Sequence, residues 1–227
     1  VVLLTDAFIA NGSSAWKLPN MEDLPEIRPH YATEAQRYKY TPYKRDEYSN
    51  VRYWAVPGME GYAHILGGLE KDGKTGAAEN HNRMDKLRFD KVARIPVPDL
   101  EVQGDKDDAD LLIVGFGSTY GHLYSAMQEL RAKGYKIALA QFRNVNPLPK
   151  NTPEVLSRYK KVVVAEQNLG QLAALLRIRI NNFAPYQYNQ VKGQPFVVQE
   201  LVQGFERLLT LPAPKYECGT FYSRILQ

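Results

Sequence analysis

Two stretches of the chain set residue types at spacings that suit chemistry. The first is Gly115-Phe116-Gly117-Ser118-Thr119-Tyr120-Gly121, a glycine-rich turn between an apolar run and an amphipathic one. Such a turn can offer backbone N–H groups and the positive end of a helix to a phosphate. As a dinucleotide fingerprint it fails at two points. The spacing Gly-x-Gly-x-x-x-Gly has one residue too many, and the next apolar run ends in Gln141-Phe142-Arg143, with no acid to hold a ribose. The expectation is a tight turn with Ser118 or Thr119 as helix N-cap and no nicotinamide dinucleotide bound. The second stretch is Val164-Ala165-Glu166-Gln167-Asn168-Leu169-Gly170-Gln171. It sets an acid and amides at the C-terminal end of a buried strand, where open α/β sheets place ligands and partners. A buried Glu must be paired or protonated. Glu166 and Asn168 are therefore read as ties between loops or chains, or as direct ligand contacts, and polar contacts across a domain or subunit interface are expected of both. Glu166, Asn168, Gln171, Ser118 and Thr119 make up the candidate interface or ligand edge, and no residue is assigned a catalytic role.

Other reactive types are scattered. His30, His64, His81 and His122 have no second ligand at a metal spacing, and Cys218 is the single cysteine, so neither a disulfide nor a Cys-x-x-Cys site is expected. One cysteine fits a reducing, cytoplasmic setting. Basic and aromatic residues alternate from Arg28 to Trp54, but Glu34, Asp46 and Glu47 interrupt them and no RNA-binding motif is present, so they read as an inter-subunit arm.

The elements that must hold these residues follow from periodicity. Leu111-Leu112-Ile113-Val114-Gly115-Phe116 is a wholly apolar strand. Residues 119–133 carry Leu123, Ala126, Met127 and Leu130 at helical spacing, and Gly134 stands at the C-cap. Ile137-Ala138-Leu139-Ala140 and Val162-Val163-Val164-Ala165 are further strands, with a helix opening at Thr152-Pro153 between them. Leu169, Leu172, Ala173, Leu176 and Ile180 form one helical stripe, and Val198, Leu201, Val202, Phe205, Leu208 and Leu209 another. Strands alternating with helices predict an α/β fold, a three-layer sandwich with a largely parallel sheet, preceded by an extended linker arm.

Upstream, Val1-Val2-Leu3-Leu4-Thr5-Asp6 reads as a buried strand already under way, which makes the chain a piece of a longer protein. Residues 11–52 lose periodicity and carry Pro19, Pro25, Pro29 and Pro42 with five tyrosines, the pattern of extended backbone. From 51 to 94, Pro57-Gly58-Met59-Glu60-Gly61, Gly67-Gly68 and Lys71-Asp72-Gly73-Lys74 suggest short strands, and Asn80-His81-Asn82-Arg83-Met84-Asp85-Lys86-Leu87-Arg88 a charged helix. A boundary is placed near Val102 to Asp108. The segments are thus 1–50, the end of one domain with the arm; 51–105, a linker; 106–210, the α/β domain; and 211–227, a tail.

Composition excludes several classes. With 29 Lys+Arg, 25 Asp+Glu and 44 % hydrophobic residues, the net charge is +4. That composition is neither disordered nor the clustered basic face of a nucleic-acid binder, although the pI is about 9.0. No apolar run approaches the ~18 residues of a membrane span.

In order and spacing, Gly117-Ser118-Thr119-Tyr120-Gly121, Asn146-Pro147-Leu148-Pro149, the Glu166 to Gln171 run and Gly193-Gln194-Pro195-Phe196 resemble the C-terminal half of the alpha subunit of 2-oxoacid:ferredoxin oxidoreductases, most closely the 2-oxoglutarate type, with its transketolase-C-like domain. Leu4-Thr5-Asp6-Ala7-Phe8-Ile9-Ala10-Asn11 resembles the last strand of that family's pyrimidine-binding domain. Pro57-Gly58-Met59-Glu60-Gly61 with His64, Gly68-Leu69-Glu70 and His81 resembles its linker. The resemblance runs to about Leu209. It implies an enzyme complex that decarboxylates a 2-oxoacid with thiamine diphosphate, forms an acyl-CoA and passes electrons through iron–sulfur clusters to ferredoxin, with a beta subunit as partner in an oligomer.

This piece lacks a Gly-Asp-Gly loop for the magnesium of thiamine diphosphate and the cysteines for a cluster, so it is expected to carry none of the cofactors. Tyr53-Trp54 stands where other branches of the family carry Pro-Arg, and no substrate contact is carried over. Two other readings compete with this one: a stand-alone nucleotide-binding or regulatory module, and the C-terminal domain of an NAD-linked 2-oxoacid dehydrogenase beta subunit.

Overall fold

A computed structural model describes residues 2–5, 10–13, 15, 17–64, 67, 77–215 and 225–226. The readings of residues 6–9, of 68–76 and of Cys218 lie outside them. The chain divides into two compact units, residues 14–95, and residues 1–13 with 96–227.

In the larger unit six strands form one sheet in the order β1-β3-β2-β4-β5-β6. The strands are β1 (Val102–Gly104), β2 (Leu111–Phe116), β3 (Ile137–Phe142), β4 (Val162–Glu166), β5 (Tyr186–Asn189) and β6 (Ile225–Leu226). All neighbours are parallel except β1, which runs antiparallel on β3 with Val102 opposite Ala140. The central strands are buried on both faces, as their unbroken apolar runs require.

Helices α2 (Tyr120–Ala132) and α5 (Val198–Thr210) cover one face, and α3 (Thr152–Ser157) and α4 (Gln171–Arg179) the other. The helix numbering begins with α1 in the smaller unit. On the first face Leu123, Met127 and Leu130 meet Leu201, Phe205 and Leu208 over Ile113 and Leu139. On the second, Leu156, Leu172 and Leu176 lie on Leu112, Val114 and Val164. Each such side chain, fully withdrawn from water, stabilises the fold by about 1.5–3 kcal/mol. The three-layer α/β sandwich expected from the alternation is the fold observed.

Local signals act as expected at several ends. Gly134 (φ 92°) closes α2, where Tyr135 N–H donates to Leu130 O at 3.2 Å, a Schellman closure. Lys161 Nζ donates to Leu209 O at 2.6 Å and so satisfies a carbonyl of the last turn of α5.

Three expectations are corrected. Residues 2–5 form no strand, and Val2, Leu3 and Leu4 are exposed, because among the described residues no sheet edge receives them. Val102–Gly104, read as part of a solvated boundary, is an edge strand; the polar Gln103 is tolerated there because an edge strand is only partly buried. Leu169 leaves the α4 stripe and is 72 % exposed, since the helix starts two residues later.

Asp105 ties three elements together. Arg131 Nε donates to its Oδ2 at 2.9 Å and Arg131 Nη2 to its Oδ1 at 3.2 Å, while Ile137 N–H donates to Oδ2 at 3.0 Å. The Arg131 hydrogen bond, first of all, and the Ile137 amide hold its carboxyl below the usual carboxylate range. A depressed folded pKa contributes stability that is complete above the unfolded value, near ~3.9, and is lost as pH falls through the folded value. Asp105→Asn is therefore expected to lower stability at neutral pH and to flatten its decline below about pH 4. Urea midpoints measured across that range check this, and parallel pH profiles for the variant and the parent would refute it.

The smaller unit is stitched by tyrosines. Tyr40 OH donates to Tyr53 O at 2.8 Å, Tyr62 OH to Thr33 O at 3.0 Å and Tyr38 OH to Glu60 at 2.7 Å, and the Tyr40 ring stands edge-on to Tyr62. Two of the five tyrosines read as an arm, Tyr38 and Tyr40, thus spend their hydroxyls inside the unit. The short strands expected from 51 onward reduce, among the described residues, to the bridges Tyr31↔Trp54 and Arg45↔Arg52. A frequent proline or glycine interrupts any longer ladder there. Helix α1 (Ala77–Ala93) extends the predicted charged helix at both ends.

Candidate functional site

The strand order makes β2 the branch point of the sheet. The chain leaves β2 through α2 toward β3 on one side, and leaves β4 through α4 toward β5 on the other. In such sheets the crevice lies between the carboxyl ends of the diverging strands. Here those ends carry the Gly117–Thr119 turn and the Glu166 to Gln171 loop, so the topology brings the two candidate stretches to one edge.

The loop after β4 is built from its own polar side chains. Glu166 is fully buried, and its carboxylate accepts from Leu172 N–H at 2.7 Å through Oε2 and from Ala173 N–H at 2.9 Å through Oε1. These are amides of the first turn of α4, which have no carbonyl partner inside the helix. The acid also faces the positive helix end. Asn168 Oδ1 accepts from Gly170 N–H at 2.8 Å and Gln171 N–H at 2.9 Å. Gln167 Nε2 donates to Gln194 O at 2.6 Å, tying the loop to the Gly193-Gln194 turn.

Gly170 takes φ 97°, and a Cβ there would lie 2.4 Å from Gln187 Oε1. Glycine thus serves both the left-handed backbone and the close approach. Of the alternatives the sequence left open for Glu166 and Asn168, the structure shows the tie within the fold: their side-chain oxygens accept from amides of the same loop and helix, because a helix start with unfilled donors lies directly behind them. Gln171 is exposed beside Leu169.

The turn after β2 differs from its expected form too. Gly117–Thr119 is a single 3-10 turn, and Thr119 caps no amide; its buried hydroxyl donates to Phe116 O at 2.8 Å. With Thr119 already in helical backbone (φ −74°, ψ −14°), its side chain cannot reach forward to the amides of α2. Ser118 sits within the turn, half-buried. Tyr120 reaches β1 with its hydroxyl, which donates to Gln103 Oε1 at 3.1 Å.

Sequence reasoning missed the carboxamides of β5. Gln187 is buried, and Asn189 Nδ2 donates to its Oε1 at 3.3 Å beneath the Gly170 loop. Nearby Gln190 Nε2 donates to Glu200 at 3.0 Å, and hydrogen bonds from Lys192 and Gln190 hold the Glu200 carboxyl below its usual range. The strand Tyr186-Gln187-Tyr188-Asn189 alternates aromatic and amide, a period-2 signal too short and too polar to be picked out beside the apolar runs. Among the described residues no group of three His, Cys, Asp or Glu could hold a metal ion, and no helix is long and apolar enough to cross a membrane.

A doubly wound domain with rigid polar loops at its carboxyl edge is the class of protein these features define, and residues 109–201 match the family described as pyruvate:ferredoxin oxidoreductase core domain II. The chain is 42 % identical over 205 residues to the 2-oxoglutarate oxidoreductase subunit KorA of Mycobacterium tuberculosis, covering 88 % of this chain and 31 % of that protein. It is 32 % identical over 155 residues to subunit alpha of 2-oxoacid:ferredoxin oxidoreductase 2 of Aeropyrum pernix, covering 64 % of this chain and 24 % of that protein. The solved 2-oxoglutarate:ferredoxin oxidoreductase from Magnetococcus marinus, with 2-oxoglutarate, coenzyme A and succinyl-CoA bound, superposes with a TM-score of 0.70 at 29 % identity, over 85 % of this chain and 34 % of that one. The chain belongs to the alpha-subunit family of the 2-oxoacid:ferredoxin oxidoreductases, and spans about a third or less of the length of these relatives.

Proposed function

We propose that this chain is the non-catalytic C-terminal portion of the alpha subunit of a thiamine-diphosphate-dependent 2-oxoacid:ferredoxin oxidoreductase whose substrate is 2-oxoglutarate. The whole enzyme converts the 2-oxoacid and coenzyme A to acyl-CoA and carbon dioxide and hands two electrons to ferredoxin. The observation that carries this reading is the length of the match to the M. tuberculosis subunit: at 88 % of the chain it is too long to lie in the α/β unit alone.

The residues present do not fit the cofactors. There is one cysteine where a cluster needs several thiolates, and no Gly-Asp-Gly for the cation of thiamine diphosphate. Thiamine diphosphate, magnesium and the iron–sulfur cluster therefore belong to the remainder of the alpha subunit and to a beta subunit, in a cytoplasmic oligomer that uses neither nucleic acid nor membrane. What this chain supplies is a rigid, doubly covered sheet whose carboxyl-edge loops are fixed by Glu166 and Asn168.

The full-length protein assembled with its beta subunit is expected to reduce ferredoxin only when 2-oxoglutarate and coenzyme A are both supplied. A higher kcat/KM for another 2-oxoacid would overturn the substrate, and no coenzyme-A-dependent reduction with any 2-oxoacid would overturn the reading. The 227-residue chain alone is expected to show no micromolar binding of thiamine diphosphate with magnesium by calorimetry. Binding in that range would move the cofactor into this chain.

A further inference from the structure

The sequence rejects a dinucleotide at the glycine turn partly because the second parallel strand, β3, ends without an acid. The fold supplies acids there from elsewhere. β1 runs antiparallel along β3, so the segment that leads into it arrives at the carboxyl end of β3 and sets Asp99 and Glu101 on the rim of a cavity of about 450 Å³. Arg143, the first residue beyond β3, stands on the same rim, with Tyr120 at the start of α2. Leu100, Phe142 and Pro149, all buried, line it. The volume falls within the ~300–1,000 Å³ usual for small-molecule sites.

The walls are fixed before any ligand enters. Leu100 exchanges two hydrogen bonds with the Asn151 carboxamide, at 2.8 and 3.1 Å. Tyr120 is held by Gln103, and Gln141 Nε2 donates to Gly117 O at 3.0 Å. The other end of that carboxamide, Gln141 Oε1, is buried with no donor among the described residues. The rim charges, in contrast, are unspent: Asp99, Glu101 and Arg143 take part in no ion pair or hydrogen bond among the described residues. Two carboxylates and a guanidinium that share one cavity without pairing call for a ligand that carries hydroxyl donors at one end and an anion at the other.

We propose that this cavity binds a mononucleotide. The vicinal ribose hydroxyls donate to the carboxylates of Asp99 and Glu101, the guanidinium of Arg143 donates to the phosphate, and the base lies against the Tyr120 ring over the apolar floor. Carboxylates suit a ribose diol, and guanidinium suits phosphate because two N–H groups can donate in parallel. A dinucleotide is excluded by the same geometry. Its pyrophosphate needs glycine backbone at the helix start, where Tyr120 stands, and the two acids repel a second phosphate group.

The test is equilibrium titration of the full-length, assembled protein with AMP, 2′-deoxy-AMP, adenosine and inorganic phosphate. AMP is expected to saturate and to bind about tenfold more tightly than adenosine or phosphate alone. Arg143→Ala should weaken AMP about tenfold while leaving adenosine unchanged, and Glu101→Gln should weaken AMP but not 2′-deoxy-AMP. Both positions are exposed, so the folded state should tolerate either change, and circular dichroism verifies it. Absence of saturable AMP binding, or equal AMP affinity in Arg143→Ala and the parent, would overturn the proposal. The readout is binding, so its failure is separate from any failure of the oxidoreductase reading.

Discussion

Replacing Glu166 by alanine is expected to lower the stability of the α/β unit by about 2–4 kcal/mol, with the loss concentrated at the start of α4. The carboxylate is the acceptor for two first-turn amides, those of Leu172 and Ala173, and it has no exposure through which water could replace it. Each buried donor left without an acceptor costs about 1–3 kcal/mol, and removing the desolvated acid offsets part of that sum. Glu166→Gln keeps one carbonyl acceptor and turns an N–H₂ against the other amide, so it should fall between alanine and the parent. Denaturant unfolding of the three proteins, with amide exchange at Leu172 and Ala173, reads the effect. An alanine variant within about 0.5 kcal/mol of the parent would show that the carboxylate does not cap the helix.

Gly104→Ala should cost about 3 kcal/mol, for two reasons that add. The residue takes φ 82°, which an L side chain adopts at a cost of roughly 1–2 kcal/mol. A Cβ there would also lie 2.4 Å from Ile137 O, a backbone atom at the start of β3 that cannot swing aside, and 2.9 Å from Met127 Sδ. Gly117→Ala separates the two causes. Its φ is 62° but a Cβ would meet nothing within 4 Å, so only the backbone strain, about 1 kcal/mol, is expected. Thermal or urea midpoints for both variants decide the matter. Equal losses at the two glycines would mean that the contact with Ile137 relaxes and that the β1 edge is softer than its geometry implies.

How far each element could be read from the sequence depended on whether its signal was local. β2, β3 and β4 are unbroken apolar runs, and only burial on both faces of a sheet makes such runs soluble, so they were legible to within a residue or two. The Gly134 stop and the Pro153 start act through φ alone, which belongs to the residue itself. β1 and β5 were not legible: Val102–Gly104 holds its place by pairing with β3, and Tyr186–Asn189 by pairing with β4, and neither carries an apolar run. Residues 2–5 show the converse, an apolar run that forms no strand where the described chain offers it no partner.

The candidate edge divides in the same way. The types in the Glu166 to Gln171 run announced a polar strand end, and the order of motifs along the chain carried the family resemblance that the comparisons bear out. Which partners those side chains take was decided by the tertiary structure. A carboxylate accepts from whichever donors lie within about 3 Å, and the donors nearest Glu166 are those of a helix that begins five residues later and folds back over it. By the same route Asp99 and Glu101, some forty residues from Arg143 in sequence, reach its side of the sheet because an antiparallel strand returns along β3. Residue type and spacing fixed the layers through burial and backbone preference, which act over a few residues. The assignment of polar partners depends on separation in space, and that was settled only when the sheet was assembled.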